Sequence, residues 1–329
     1  ISYSPATLCN AAGSPVVNVT QTGSTGGTYS APAGLTINAT NGAITPATSS
    51  PGNYTIRYTV TGTGGCANVV ATTTVTVNST PQATISYPAM CSSDGLTAVT
   101  IIGSAGGVFS STAGLSINPA TGAITPATST SGNYTVTYDI PAAAPCPGFQ
   151  TTTNISITKA PAATISYTPA TLCNTSSSAP VNVTRTGDAG GTYSITPAGL
   201  TIDPATGTLS PAGASADNYT IRYTLTGSGG CNNVIAMTTV TVSSTPTASI
   251  TYAGNPYCGN LSTAQAVTQT GNKGGTYSAP AGLSIDAASG AITPSTSTPG
   301  TYTVTYTIAA APPCPGYQAS TNITITRPL

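Results

Sequence analysis

Hydrophobic and polar positions alternate with a period of two along much of this chain. Tyr54, Ile56, Tyr58 and Val60 are separated by Thr55, Arg57 and Thr59, and a second series runs through Val69, Ala71, Thr73, Val75 and Val77. This period turns one face of an extended strand inward and leaves the other in water, and the residues are the β-branched and aromatic types that suit a pleated, half-buried surface. Asn41-Gly42 lies between Leu35-Thr36-Ile37 and Ala43-Ile44-Thr45, and Thr121-Gly122, Thr206-Gly207 and Ser289-Gly290 hold the same place further on. Glycine at that point is a hairpin signal. No helical period is visible. The spacing predicts about seven short strands per repeat and an all-β sandwich.

The strands recur as a unit. Ile1-Ser2-Tyr3, Ile85-Ser86-Tyr87, Ile165-Ser166-Tyr167 and Ile250-Thr251-Tyr252 follow one another at intervals of 84, 80 and 85 residues. A fixed period of this kind marks tandem modules. A Gly-Gly-x-aromatic step (Gly26-Gly27-Thr28-Tyr29 and its copies at Gly106, Gly190 and Gly274) precedes the Gly-Leu-Thr/Ser-Ile segment in each. A longer period lies above it: Pro5-Ala6-Thr7-Leu8-Cys9-Asn10 is repeated at Pro169–Asn174, and Pro145-Cys146-Pro147-Gly148-Phe149-Gln150 at Pro313–Gln318. The array therefore reads ABAB, with repeats at 1–81 (type A), 82–161 (type B), 162–246 (type A) and 247–329 (type B). Short Pro-containing junctions stiffen the joints. The expected architecture is all-β: four tandem immunoglobulin-like β-sandwich domains in an extended rod. Asn322–Pro328 parallels Asn154–Ala160, after which another repeat begins, so a further domain is expected to follow.

Composition narrows the chemistry. Charged residues are 4% of 329, with a net charge of zero, no histidine, and carboxylates only at six aspartates. Six dispersed cations make no track for a nucleic acid backbone, and no apolar run approaches a membrane span. Serine and threonine abound without a general base, so the reading is of a non-enzyme with no cofactor. Aspartates number at most three per repeat and histidine is missing, so neither a calcium nor a zinc site is expected. Asp203 and Asp286, standing where Asn38 and Asn118 stand in other copies, are read as turn residues bonding to the backbone. The glycine pairs lead into strands and lack the lysine of a phosphate loop. The Thr-x-Thr steps are read as solvent-facing strand, because a twisted sandwich supplies no flat ladder. Most of the 17 tyrosines fall on apolar faces, leaving Tyr257 and Tyr317 as weak contact-patch candidates. Few charges guard the strand edges, so lateral self-association is a partner interaction to expect.

Pro51-Gly52-Asn53-Tyr54 has the form of a tyrosine corner, with Tyr134, Tyr219 and Tyr302 in the matching places. Together with the string from Ala33-Gly34-Leu35-Thr36-Ile37 to Ala43-Ile44-Thr45-Pro46, this resembles the immunoglobulin-like repeats of large bacterial surface proteins. With its Thr-rich, cysteine-paired character, the chain resembles the repeat region of giant Bacteroidetes cell-surface adhesins, such as the gliding-motility adhesin exported by type IX secretion. The third repeat departs locally, with Ala216-Asp217-Asn218 before its corner tyrosine. The resemblance implies a spacer segment at the cell surface whose partners are neighbouring repeats. It names no surface ligand. A self-assembling extracellular fibre subunit is the alternative, and a carbohydrate-binding module a third.

Eight cysteines fall two to a repeat: Cys9 and Cys66, Cys91 and Cys146, Cys173 and Cys231, Cys258 and Cys314, 55 to 58 residues apart. Without histidine or a C-x-x-C step they are read as disulfides, which implies an oxidising, extracellular compartment. Pairing within each repeat is preferred over pairing Cys66 with Cys91 across a junction, since the latter needs the chain to fold back. That preference requires a short or displaced first strand, because simple immunoglobulin topology puts the two cysteines at opposite ends of the domain.

Overall fold

The computed structural model describes residues Ile1–Pro328, and its regular elements are strands and three single turns of 3-10 helix. In the first repeat the strands are Ser2–Tyr3 (β1), Thr7–Cys9 (β2), Val19–Thr20 (β3), Thr28–Ser30 (β4), Gly52–Val60 (β5) and Val69–Asn78 (β6). β2, β6, β5 and β4 line up in that order as one sheet. β1 pairs antiparallel with β3 in the other, which the bridges Val17–Ile44 and Ile37–Ile44 extend. The entering segment thus serves both layers, β1 in one and β2, parallel to β6, in the other.

The alternation that predicted β5 is the alternation that buries it. Tyr54, Ile56 and Tyr58 point inward, paired to Val75, Thr73 and Ala71 of β6. Ile44 and Ile56 have no exposed surface, and neither do their counterparts Ile124 and Val136, Leu209 and Ile221, Ile292 and Val304. Burying a side chain of this size stabilises by about 1.5–3 kcal/mol. Each repeat has its own cluster of buried residues. The chain is an all-β series of immunoglobulin-like sandwiches.

The sequence reading needs three corrections. Repeats one, two and four carry six strands rather than seven, and the third carries eight, because Thr201–Ile202 and Leu209–Ser210 pair there where the others keep isolated bridges. Short 3-10 turns occur at Pro46–Thr48, Pro126–Thr128 and Pro294–Thr296. Three residues are too few to show a period, but proline at the start presets the backbone angle. Along β6 only the C-terminal end of the apolar series is buried, since Val69 is 64% exposed while Val75 and Val77 are inside.

The chain divides into two compact units, Ile1–Ala160 with Ser228–Asn232, and Pro161–Gly227 with the residues from Asn233 onward. The loop Ser228–Asn232 belongs by sequence to the third repeat, but its Cys231 is bonded to Cys91 in the first unit.

Candidate functional site: disulfide clasps and tyrosine locks

The cysteines pair from one repeat to the next. Cys9 is bonded to Cys146, Cys91 to Cys231 and Cys173 to Cys314, across 137, 140 and 141 residues. This overturns the expectation of pairs within repeats, and the alternative of Cys66 with Cys91 as well. Cys66 and Cys258 carry free, exposed thiols.

Topology explains the correction. Because β2 runs parallel to β6 with Cys9 opposite Asn78, Cys9 stands at the end of the module where the chain leaves it. Cys66 stands in the β5–β6 loop at the other end of ten-residue β6, roughly 30 Å away at ~3.3 Å per residue. A disulfide holds its two Cα atoms within about 7 Å, so the two cannot meet. Cys146, in the corresponding loop of the second repeat, reaches that exit instead: its Sγ lies 3.5 Å from the carbonyl oxygen of Ser79. Cys231 and Cys314 approach the carbonyls of Thr158 and Ser243 at 3.6 Å in the same manner. Beside the clasp, the Asn10 side-chain oxygen accepts the backbone N–H of Thr80 at 2.8 Å and its hydroxyl at 3.0 Å. Asn174 does the same for Thr245. The exit strand is thereby bound beside the entry strand at each type A junction.

The tyrosines form a second set of repeated contacts. At the corners, Tyr54 donates to the Ser50 carbonyl at 2.8 Å, Tyr219 to Ser215 at 2.8 Å, Tyr302 to Thr298 at 2.7 Å, and Tyr134 to Thr130. The third repeat makes this contact despite its altered approach. Sequence reasoning missed two further roles. Tyr3, Tyr87, Tyr167 and Tyr252 each donate to the carbonyl of the hairpin glycine, Gly42, Gly122, Gly207 and Gly290, at 2.5–2.7 Å. The backbone N–H of Gly27, Gly107, Gly191 and Gly275 donates in turn to Tyr58, Tyr138, Tyr223 and Tyr306 at 2.8–2.9 Å. The recurrence of Tyr in the opening Ile-Ser/Thr-Tyr step, in register with the hairpin, was the signal available. Gly42 itself has φ +66°, and a Cβ there would stand 2.8 Å from the Tyr29 ring, so glycine is required twice over. The loop closes on an Asn38–Ala43 bond, with the Asn38 side chain accepting N–H groups of Thr40 and Asn41. Asp203 and Asp286 make the equivalent bonds in their repeats.

Burial, and after it the neighbouring Tyr29 ring, pushes Tyr3 up to about 12, while burial alone pushes Tyr87 up to about 12. Burial raises Tyr167 and Tyr252 as well. A tyrosinate at these places would face a carbonyl oxygen. The folded value exceeds the unfolded one of about 10, so the stabilisation is complete below pH 10 and is lost as pH rises toward 12. Denaturant midpoints measured from pH 8 to 12, with tyrosinate absorbance followed in parallel, are expected to stay level to about pH 10 and then drop. Level midpoints with all tyrosines ionising near 10 would contradict this. On the acid side, backbone N–H groups lower Asp203 (first Thr206) and Asp286 (first Ser289), a contribution present above the usual carboxylate value and lost as pH falls through the lowered one.

Of the remaining candidates, Tyr257 is buried and Tyr317 half-buried, and all other tyrosines are likewise buried or half-buried. No group of three Cys or Asp side chains is placed to hold a metal ion among the described residues.

No protein-family model and no curated protein matches the chain. Solved structures of similar fold include N-cadherin EC1-4 of Drosophila, at 11% identity over 95% of this chain and 94% of that one, with a TM-score of 0.33. The eight N-terminal Ig domains of Down Syndrome Cell Adhesion Molecule align at 10% identity over 92% of this chain and 43% of that one, TM-score 0.46. A SusE-like surface-located polysaccharide-binding protein of Bacteroides thetaiotaomicron aligns at 12% identity over 98% and 71%, TM-score 0.22. The likeness is one of fold.

Proposed function

We propose that the chain is a structural repeat segment of a secreted bacterial cell-surface adhesin of the giant Bacteroidetes kind, a stiff spacer that acts by its length and performs no catalysis. The observation that carries this reading is the clasp: every disulfide joins consecutive repeats, so cross-linking is spent on the joints and each module is left to its own core. Cystine at a joint limits bending where a flexible linker would allow it. The oxidising setting that cystines need supports an extracellular location, and the composition that denies the chain a general base supports the absence of catalysis.

Small-angle X-ray scattering of the oxidised chain tests it. Four modules of ~40 Å set in line give a radius of gyration near 45 Å, against about 20 Å for a globule of this length. The larger value, insensitive to salt, is expected. A value near the globule's would overturn the spacer reading.

A further inference from the structure

We propose that the outer face of the four-stranded sheet in the second repeat docks on the outer face of the corresponding sheet in the third repeat of a second copy, with Asp139 against Arg222 and Val108 against Met237. The contact does not depend on the spacer reading.

Strand register fixes the neighbours of these side chains. In the second repeat Val108, Asp139 and Gln150 stand in one row across the strands Val108–Ser111, Gly132–Ile140 and Phe149–Thr158. In the third, Ser194, Arg222 and Met237 make such a row across Thr192–Thr196, Asp217–Leu225 and Val234–Ser243. Val108 is 54% and Met237 65% exposed, and both charged residues lie at the surface. Neither charged side chain has an ion-pair or hydrogen-bond partner among the described residues. The fold does not call for this chemistry. The place of Val108 is held by Thr28, Thr192 and Thr276 in the other repeats, and that of Asp139 by Thr59, Thr224 and Thr307. The place of Met237 is held by Thr72, Thr152 and Ser320. Arginine at 222 recurs only as Arg57.

Charge and strand order select the occupant. In a chain with only six cations and six aspartates, an unpaired charge beside an exposed aliphatic side chain occurs on these two faces with opposite sign. The two sheets also share one strand order. A half-turn about the strand direction lays one sheet on the other with strands parallel, and the first strand of each then covers the third of its mate. Val108 falls on Met237, Asp139 on Arg222 and Gln150 on Ser194. With strands antiparallel, Val108 would meet Ser194 and Met237 would meet Gln150, so the parallel setting is the one that buries aliphatic against aliphatic. Face-to-face sheets lie about 10 Å apart, within reach of these side chains. Because Asp139 and Arg222 are unpaired within one chain, their meeting is between chains. Two different faces make a heterologous contact, which passes from copy to copy instead of closing.

The test is analytical ultracentrifugation of the full oxidised chain, with Cys66 and Cys258 alkylated so that no covalent link forms. A contact below about 1,200 Å² is weak, so average mass is expected to rise with a Kd on the order of 0.1–1 mM and to fall back as salt is added. Asp139→Arg and Arg222→Asp should each weaken association about 5-fold or more, and the chain carrying both should recover it, since the pair is restored with its signs exchanged. Val108→Thr and Met237→Thr, which install the residue type found at the same place in other repeats, should weaken it without altering charge. A monomer up to 1 mM, no recovery in the doubly reversed chain, or an equal loss with Arg57→Asp would overturn the proposal. Scattering measured in dilute solution is indifferent to these results, so the spacer reading stands or falls separately.

Discussion

Pulled from its ends in oxidising buffer, the chain is expected to lengthen hardly at all, whereas after reduction it should unravel stepwise by about 250 Å per module. The contrast follows from the covalent route. Between Cys9 and Cys314 the reduced polypeptide can be drawn out over 305 residues, roughly 1,070 Å at ~3.5 Å each. The oxidised route crosses from Cys9 to Cys146 through one disulfide, follows 27 residues to Cys173, and crosses to Cys314 through another. Drawn taut, those 27 residues span only roughly 95 Å. Eighteen of them already lie in the strands Phe149–Thr158, Ala163–Tyr167 and Thr171–Cys173, so little slack remains. Tension passes along these three strands and the clasps, and the rest of the sandwiches is bypassed. Single-molecule force spectroscopy with and without a reductant reads the difference directly. Steps near 250 Å in the oxidised chain would refute this route.

Replacing Cys9 and Cys146 together by alanine is expected to detach the first repeat thermally from the rest, so that it melts alone on the order of 20 °C lower. Closing a loop of 137 residues is worth about 5 kcal/mol in the chain-entropy treatment. Unfolding of the first repeat alone still leaves a closed loop of roughly 70 residues, worth about 4 kcal/mol. A sandwich of ~80 residues has only a few kcal/mol to lose, and each kcal/mol moves the midpoint of so small a domain by about 4–8 °C. Both half-cystines are buried, so alanine leaves no buried thiol or hydroxyl to satisfy. Calorimetry should resolve two transitions where the parent chain shows fewer, with the minor one reporting the first repeat. A single transition within 3 °C of the parent would show that the clasp holds position without contributing stability.

The layers of this fold were legible because they are local. Period two at Tyr54–Tyr58 fixes which side chains are buried, the proline or glycine step before Tyr54 indicates its corner, and glycine at 42 marks the hairpin. The clasps were less legible for a reason of symmetry. With two cysteines per period, Cys9 to Cys66 and Cys9 to Cys146 are equally periodic choices, and spacing cannot separate them. What separates them is the parallel pairing of β2 with β6, which carries Cys9 to the exit end, and a parallel neighbour leaves no mark in an alternating sequence. The tyrosine contacts to the hairpin carbonyls were hidden for a related reason: an apolar-face tyrosine reads as packing, and its hydroxyl partner lies 35 to 40 residues away.

The clasps also overlap along the chain: Cys9 to Cys146, Cys91 to Cys231 and Cys173 to Cys314 leave no residue between 9 and 314 outside at least one closed ring. A protease that cuts any one peptide bond in that stretch therefore releases nothing, because both new ends stay tethered through a ring that spans the wound. Against hydrolytic enzymes, failure then takes two well-placed cuts or a reductant, and a single nick is survivable.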